Sequence, residues 1–449
     1  MRRGEGPYAT ENRGHQAAVP VRGASRVWAC LLGGAARAEP HGRRYTRSVL
    51  IVCALCLLPA TARAGGFELA EHGAAGTGMA GAFVAKADDA SAVFFNPSGL
   101  ADQRGLQLYL GTTLITAMPS AQVASGGQQD AATAVQPIPT IYASYGLPHQ
   151  VTLGVGAFTN FGLSLDWPHD WAGRYLIRSV ALTTVTINPT AAWRPLPWLA
   201  VGGGIDITPA SADLSQAINL VAAEANARFR GNAVGVSGNL GVLATLPQMG
   251  VVPPLSVGVS YRSRYDLSFD NGSIQVDAPP ELAGMLHDSK ASSTLPIPDV
   301  IAAGVGAYVR PRLFLQAQVD WTNWARFKEL RLTAPDNPLL NMAIPEQWHD
   351  GWVLRVGGEY AFEKLRVRAG VGYDWNPIPS ATLGPIVPDS DRFFFAGGFS
   401  LDLPSHLTAE LALMAVLFQE RQSALPQFPA RYSTFALLTG LSLHYHSSR

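Results

Sequence analysis

The sequence predicts an all-β fold: a 14-stranded antiparallel transmembrane β-barrel. Three observations predict it. Apolar and polar residues alternate with a period of two through most of the chain. Each alternating segment is long enough to cross a bilayer at a tilt, which takes about 9–11 residues. The connections between segments alternate short and long, and outer-membrane barrels turn tightly on one side of the membrane and loop widely on the other.

Composition removes other classes. The chain has 449 residues, and 33 basic residues balance 33 acidic ones. With 47% hydrophobic and only 15% charged residues it is no disordered tail protein. The charge balance and the lack of long basic clusters argue against nucleic acid as a partner.

Residues 1–64 read as processing sequence. Arg43, Arg44 and Arg47 form a basic n-region, Ser48 to Ala60 a mostly apolar core, and Ala62-Arg63-Ala64 a small-x-small cleavage site. That core is too short to span a membrane as a helix. Cleavage is expected after Ala64, and a mis-assigned upstream start accounts for the residues before Arg43. Cys30, Cys53 and Cys56 all fall in this region, so the rest of the chain can form neither a disulfide nor a thiolate metal site.

Residues 65–105 are small, rich in Gly and Ala, and precede the first strand. A barrel of this width has a lumen that its own side chains do not fill. Left open it would leak, so this segment is predicted to be an N-terminal hatch, a plug folded inside the lumen. Asn96-Pro97 reads as a turn. Asp88 and Asp89 admit two readings: bonds to backbone amides or lumenal arginines, or capping of a short helical turn.

The barrel proper occupies 106–449, with strands predicted at 106–118, 137–147, 150–162, 180–194, 198–213, 230–246, 255–270, 298–310, 312–333, 350–362, 365–377, 391–402, 406–419 and 431–445. In one of these, Leu365, Val367, Ala369, Val371, Tyr373 and Trp375 share a face opposite Arg366, Arg368 and Asp374. In its neighbour, Trp352, Leu354, Val356, Tyr360 and Phe362 alternate with Arg355 and Glu359. A soluble sandwich also alternates, but it has no reason for a strict short–long order of connections. No segment after the leader has 18 consecutive apolar residues, so no helical span is expected. Trp321, Trp324, Trp352, Trp375, Tyr360, Tyr373, Tyr261 and Tyr445 lie toward strand ends, as interfacial girdles do. Leu214, Ile218, Val221 and Ala225 recur at helical spacing, as do Leu282, Met285 and Leu286, so two amphipathic loop helices are predicted.

Other chemistry is weakly supported. Gly76-x-Gly78-x-x-Gly81 matches a dinucleotide fingerprint but follows no strand. The pairs His169-Asp170, His287-Asp288 and His349-Asp350 lie in predicted loops, with no serine and orienting group beside them. No catalytic residue, metal or cofactor is expected.

Two blocks carry a family resemblance. The first holds Gly66-Phe67, Gly76-Thr77-Gly78, Ala87-Asp88-Asp89-Ala90 and Asn96-Pro97-Ser98-Gly99. The second holds Phe158-Thr159-Asn160-Phe161-Gly162-Leu163, then Asp170-Trp171-Ala172-Gly173-Arg174-Tyr175 and Ile187-Asn188-Pro189. Together they resemble the long-chain fatty acid outer-membrane transporter (FadL) family, which includes aromatic-hydrocarbon channels. Members usually carry Ala where this chain has Ser98.

The resemblance implies a monomer in the outer membrane of a Gram-negative bacterium, among lipid and lipopolysaccharide, moving a hydrophobic small molecule passively. It implies an apolar capture groove in the outer loops and a kink in the third strand that opens the wall sideways. On that reading Phe67 and Leu69 floor a lumenal pocket, and Phe158 and Phe161 contact ligand. Arg355, Arg366 and Arg368 are candidate partners for a carboxylate, or else pair with Glu359, Asp374 or Glu410. Gly66, Asp88, Asp89, Asn96, Pro97 and Gly99 belong to the gating hatch, and Gly154, Gly156 and Gly162 permit the bend. A general or structural porin and a surface enzyme are the competing readings.

Overall fold

Fourteen strands follow one another around a closed ring, each antiparallel to its neighbours. The computed structural model describes residues 66–447 apart from 124–126, 221–222, 251 and 283. The leader, its cleavage after Ala64, and Gly65 lie outside the described residues.

In order the strands are Leu106–Val123, Val135–Gly146, Val151–Phe158 resuming at Leu163–Asp166, Ser179–Thr184 with Thr186–Leu196, Leu199–Asn219, Glu224–Leu246, and Leu255–Arg262 with Tyr265–Asp277. Then come Ser289–Ile297 with Val300–Arg310, Leu313–Thr322, Gly351–Ala361, Leu365–Trp375, Arg392–Leu403, Leu407–Phe418 and Ala430–His446. The first strand closes on the last, from Gln107↔His446 to Val123↔Ala430. Closure removes both sheet edges, which a bilayer requires because lipid offers no hydrogen bonds to an unpaired edge.

The period-two pattern sorts the faces. Val356, Val367, Val371, Leu413 and Leu441 are exposed on the outside, whereas Arg355, Glu359, Arg368 and Glu410 are buried within. Trp321, Trp352 and Trp375 sit opposite one another on adjacent strands, a girdle built by cross-strand register. Trp324 does not belong to it. The ninth strand stops at Thr322 rather than running to 333, and a one-turn 3-10 helix, Trp324–Arg326, carries the indole inward to full burial. The alternation beyond it belongs to a separate outer hairpin, Glu329–Thr333 against Met342–Pro345.

The predicted loop helices are absent among the described residues. The fifth and sixth strands run on as one long ladder, from Leu199↔Ala244 to Asn219↔Glu224. Leu214 and Ile218 are four residues apart, a spacing that shares a face in a strand as well as in a helix. In the second region only Pro280–Leu282 is helical, as a single 3-10 turn.

The N-terminal segment lies inside the ring. It holds two short helices, Gly73–Gly78 and Ala92–Phe95, and the 3-10 helix Pro97–Asp102. Asn96 caps the last: its Oδ1 accepts from Ser98 N–H at 3.2 Å, while its Nδ2 donates to Val84 O at 2.8 Å. The wall is smoothed to receive this segment. A Cβ on Gly370 would meet the Met79 carbonyl carbon at 2.3 Å, and one on Gly258 would meet Val84 O at 2.2 Å. Inside the segment, a Cβ on Gly99 would meet Ala87 O at 2.1 Å.

Candidate functional site

The third strand leaves the wall after Phe158. Its ladder to the second strand runs from Gly146↔Thr152 only as far as Ile141↔Ala157. Residues 135–140 of the second strand keep their first-strand partners but have none on the third. Pro137 and Pro139 lie in this stretch. Two residues apart, both remove N–H donors from the same edge, as suits a strand with a missing neighbour. Above the gap contact resumes, with Ala132 N–H donating to Asp166 O at 2.7 Å and Gln136 Nε2 to Ser164 Oγ at 3.2 Å. The result is a bounded break in the ladder between the second and third strands.

What the third strand loses at the wall it finds inside. Leu69 N–H donates to Asn160 O at 2.8 Å, and Gly162 N–H donates to Phe67 O at 3.0 Å. Glu68 and Phe161 form an antiparallel bridge. Thr184 Oγ1 holds the Phe161 carbonyl at 2.5 Å. The backbone groups freed by the kink are thus satisfied by the N-terminal segment and the fourth strand, as burial demands.

Phe67 stands at the centre of an aromatic cage. Its ring centroid lies 4.7 Å from Trp324, 6.0 Å from both Phe161 and Trp348, and 6.3 Å from Phe327, all in edge-on or tilted arrangements. Such pairs add about 0.5–1.5 kcal/mol each beyond the area they bury. Phe158 packs one layer below against His72, Phe94 and Tyr142.

Three cavities lie at or near this cage, two of them lined by its aromatics. The largest, about 270 Å³, opens among the outer hairpins and is lined by Leu214, Ile218, Phe229, Ile274, Leu332 and Leu340. The second, about 70 Å³, lies between Phe67, Leu163, Leu182, Phe269, Phe327 and Glu346. The third, also about 70 Å³, brings Glu68, Asn160, Arg262, Asp320 and Arg355 together beside Leu69 and Phe161. Both polar atoms of the buried Asn160 carboxamide lack a hydrogen-bond partner among the described residues.

The remaining sequence-derived residues fall into place around these features. Arg355 Nε pairs with Asp320 Oδ2 at 2.7 Å and its Nη1 reaches Ala80 O at 2.8 Å. Arg368 Nε pairs with Glu359 Oε2 at 2.7 Å and its Nη1 with Glu410 Oε1 at 3.3 Å. Arg366 pairs with Asp402 at 2.6 Å, half exposed. Asp88 pairs with Lys86, and Asp89 Oδ1 accepts from Ser91 N–H at 2.8 Å, just before the helix at Ala92. Gly154 and Gly156 face the N-terminal segment, where a Cβ would come within 2.8 Å of Leu100 and 2.9 Å of Val93 respectively. The ladder breaks beyond them, at Phe158, with Gly162 on the inward run beside Leu69. Gly66 takes a positive φ of 81° against Trp348. Pro97 sits at the first turn of its 3-10 helix.

Sequence reasoning missed Trp324 and Trp348 as cage residues and Glu346 and Asn160 as lining groups. The prolines at 137 and 139 were the available sign of an unpaired edge.

Comparison with known proteins bears on the fold and the family. The chain is 24% identical to the "47 kDa outer membrane protein" of Pasteurella multocida over 432 residues, 90% of this chain and 98% of that one. It is 24% identical to a "long-chain fatty acid transport protein" of Escherichia coli O6:H1 over 399 residues, 79% of this chain and 87% of that one. Among solved structures it superposes on a Pseudomonas aeruginosa FadL homologue with a TM-score of 0.74 at 21% identity, covering 85% of this chain and all of the other. The Pseudomonas putida toluene transporter TodX superposes with a TM-score of 0.70 at 16% identity, over 85% of this chain and 100% of that one. The family model described as "Outer membrane protein transport protein (OMPP1/FadL/TodX)" matches residues 55–446, and the chain belongs to that family of outer-membrane β-barrels.

Proposed function

We propose that this barrel takes up hydrophobic small molecules passively, as a monomer set in outer-membrane lipid and lipopolysaccharide. The apolar cavity among the outer hairpins captures the ligand. The ligand then passes to the cavity beside Phe67, where apolar walls bury its tail. It leaves sideways through the window between the second and third strands, and the N-terminal segment blocks a straight path through the lumen. The relatives named for fatty acid and toluene transport support this class of ligand.

The broken ladder above Ile141↔Ala157 carries the reading. A closed porin wall has no use for a gap whose inner side is lined by a buried aromatic cage. Ile138 lies in the gap on the lumen-facing parity of Thr140 and Tyr142. The chain has no cysteine after Cys56, so Ile138→Cys gives a single handle on the window. Labelling it with a bulky methanethiosulfonate should slow uptake of a fluorescent fatty acid about tenfold in whole cells, and a reductant should restore it. The same label on outward-facing Val319→Cys should leave uptake unchanged. Full uptake with Ile138→Cys labelled would remove the sideways route.

A further inference from the structure

The cavity beside Phe67 is lined in part by a carboxyl group that no cation among the described residues pairs with. Glu346 follows the short strand Met342–Pro345 in the outer loop and is 6% exposed. Its Oε2 accepts from Trp348 Nε1 at 2.7 Å. Its Oε1 receives no hydrogen bond from any described residue. Among the described residues no arginine or lysine pairs with it, in contrast to Asp320, Glu359, Glu410 and Asp374, each of which has an arginine within 3.3 Å.

The backbone holds Glu346 in place. Its N–H donates to Lys328 O at 2.8 Å, and its carbonyl accepts from Thr382 Oγ1 at 2.6 Å. Glu346 is thereby held in the lining of the cavity whose other walls include Phe67, Leu163, Leu182, Phe269 and Phe327. That cavity and the larger outer one share Leu214, Phe229, Ser293 and Leu330, so a chain-like ligand can lie across both.

We propose that Glu346 is a specificity residue that, as a neutral carboxylic acid, donates from Oε1 to the oxygen of an uncharged hydrophobic ligand such as a long-chain ketone or aldehyde, and disfavours carboxylates. The inference rests on the channel reading above. It names the ligand class of that channel. The cavity itself supplies the reason. Burial pushes the Glu346 carboxyl up to about 8 from its ordinary value of 4.5, with only the Trp348 hydrogen bond opposing. A ligand carboxylate placed there would meet the same desolvation penalty and find no cation to offset it. The lumenal arginines that could serve it, Arg355 and Arg368, are already held by acidic partners. A ketone oxygen carries no charge to desolvate and satisfies the one open donor position.

The test uses the whole processed protein in detergent. Affinities for 2-undecanone, undecane and undecanoate at pH 7 are measured by calorimetry and by quenching of tryptophan fluorescence, since Trp348 hydrogen-bonds Glu346 and Trp324 packs on Phe67, two residues that line the cavity. The ketone should bind about tenfold more tightly than either of the others. Glu346→Leu should bring the ketone to within about threefold of undecane, while Glu346→Gln, which retains an N–H donor, should keep the preference. Undecanoate binding as tightly as the ketone, or a preference that survives in Glu346→Leu, overturns the proposal. If all three bind equally the channel reading stands and only this inference falls; if none binds, both fall.

Discussion

Gly66 donates its backbone N–H to Asp389 Oδ2 at 2.7 Å, which ties the start of the N-terminal segment to the loop leading into the twelfth strand. Asp389 is itself buried, and burial raises its carboxyl above the ordinary range while Arg392 at 3.7 Å opposes. A hydrogen bond to a charged group is worth about 1.5–3 kcal/mol. Asp389→Ala should therefore speed amide exchange at Phe67 to Leu69 by one to two orders of magnitude, read by hydrogen–deuterium exchange. Unchanged protection would mean that the Phe67 cage alone holds the segment.

The glycines facing the bore offer a second test. Gly370→Val pushes a side chain into the Met79 backbone, whereas Gly397, with nothing closer than 3.9 Å, has room outside. Gly370→Val should raise ion conductance in planar bilayers by displacing the segment, and Gly397→Val should not. Equal, low conductance in both would show that the segment can yield without unblocking the lumen.

The lumenal arginines separate structure from recognition. Removing Arg368 leaves Glu359 with Lys86 alone and takes from Glu410 its arginine, and breaking a buried pair costs about 3–5 kcal/mol. Arg368→Leu should markedly lower the temperature at which the folded band on a gel is lost. Arg366→Leu breaks a half-exposed pair worth about 0–1 kcal/mol and should change little. If either arginine instead served a carboxylate ligand, its loss would weaken undecanoate binding while stability held.

Glu346 should titrate visibly. Burial favours its neutral form, so it should stay protonated through neutral pH and ionise around 8. Trp348 donates to this carboxyl, so its fluorescence should change between about pH 7 and 9 with a midpoint near 8. Glu346→Gln should abolish the step. A midpoint near 4.5, the ordinary value, would place the carboxyl in water.

The wall was legible in the sequence because lipid outside and a polar bore inside impose strict alternation, as at Leu365 to Trp375. The outer hairpins were less so. Leu214 and Ile218 carry a spacing common to helix and strand, and only the pairing partner across the ladder decides between them. The ninth strand was overrun because Glu329 to Thr333 also alternates, yet pairs locally with Met342 to Pro345. Arg355 and Arg368 could be placed on the lumenal face by parity, but their partners depend on register between strands. Glu346 looked like any loop acid. Its burial arises from aromatic groups far apart in the chain, from Phe67 to Phe327, which no local pattern connects.

The bore is occupied by chain that was synthesised before any of the wall. Its backbone presses on Gly258 in the seventh strand and Gly370 in the eleventh, and the ring is sealed only when the last strand meets the first. The last strand therefore has to meet the first around a bore that is already spoken for, so the fit between cork and cask bears on sealing as well as on leakage.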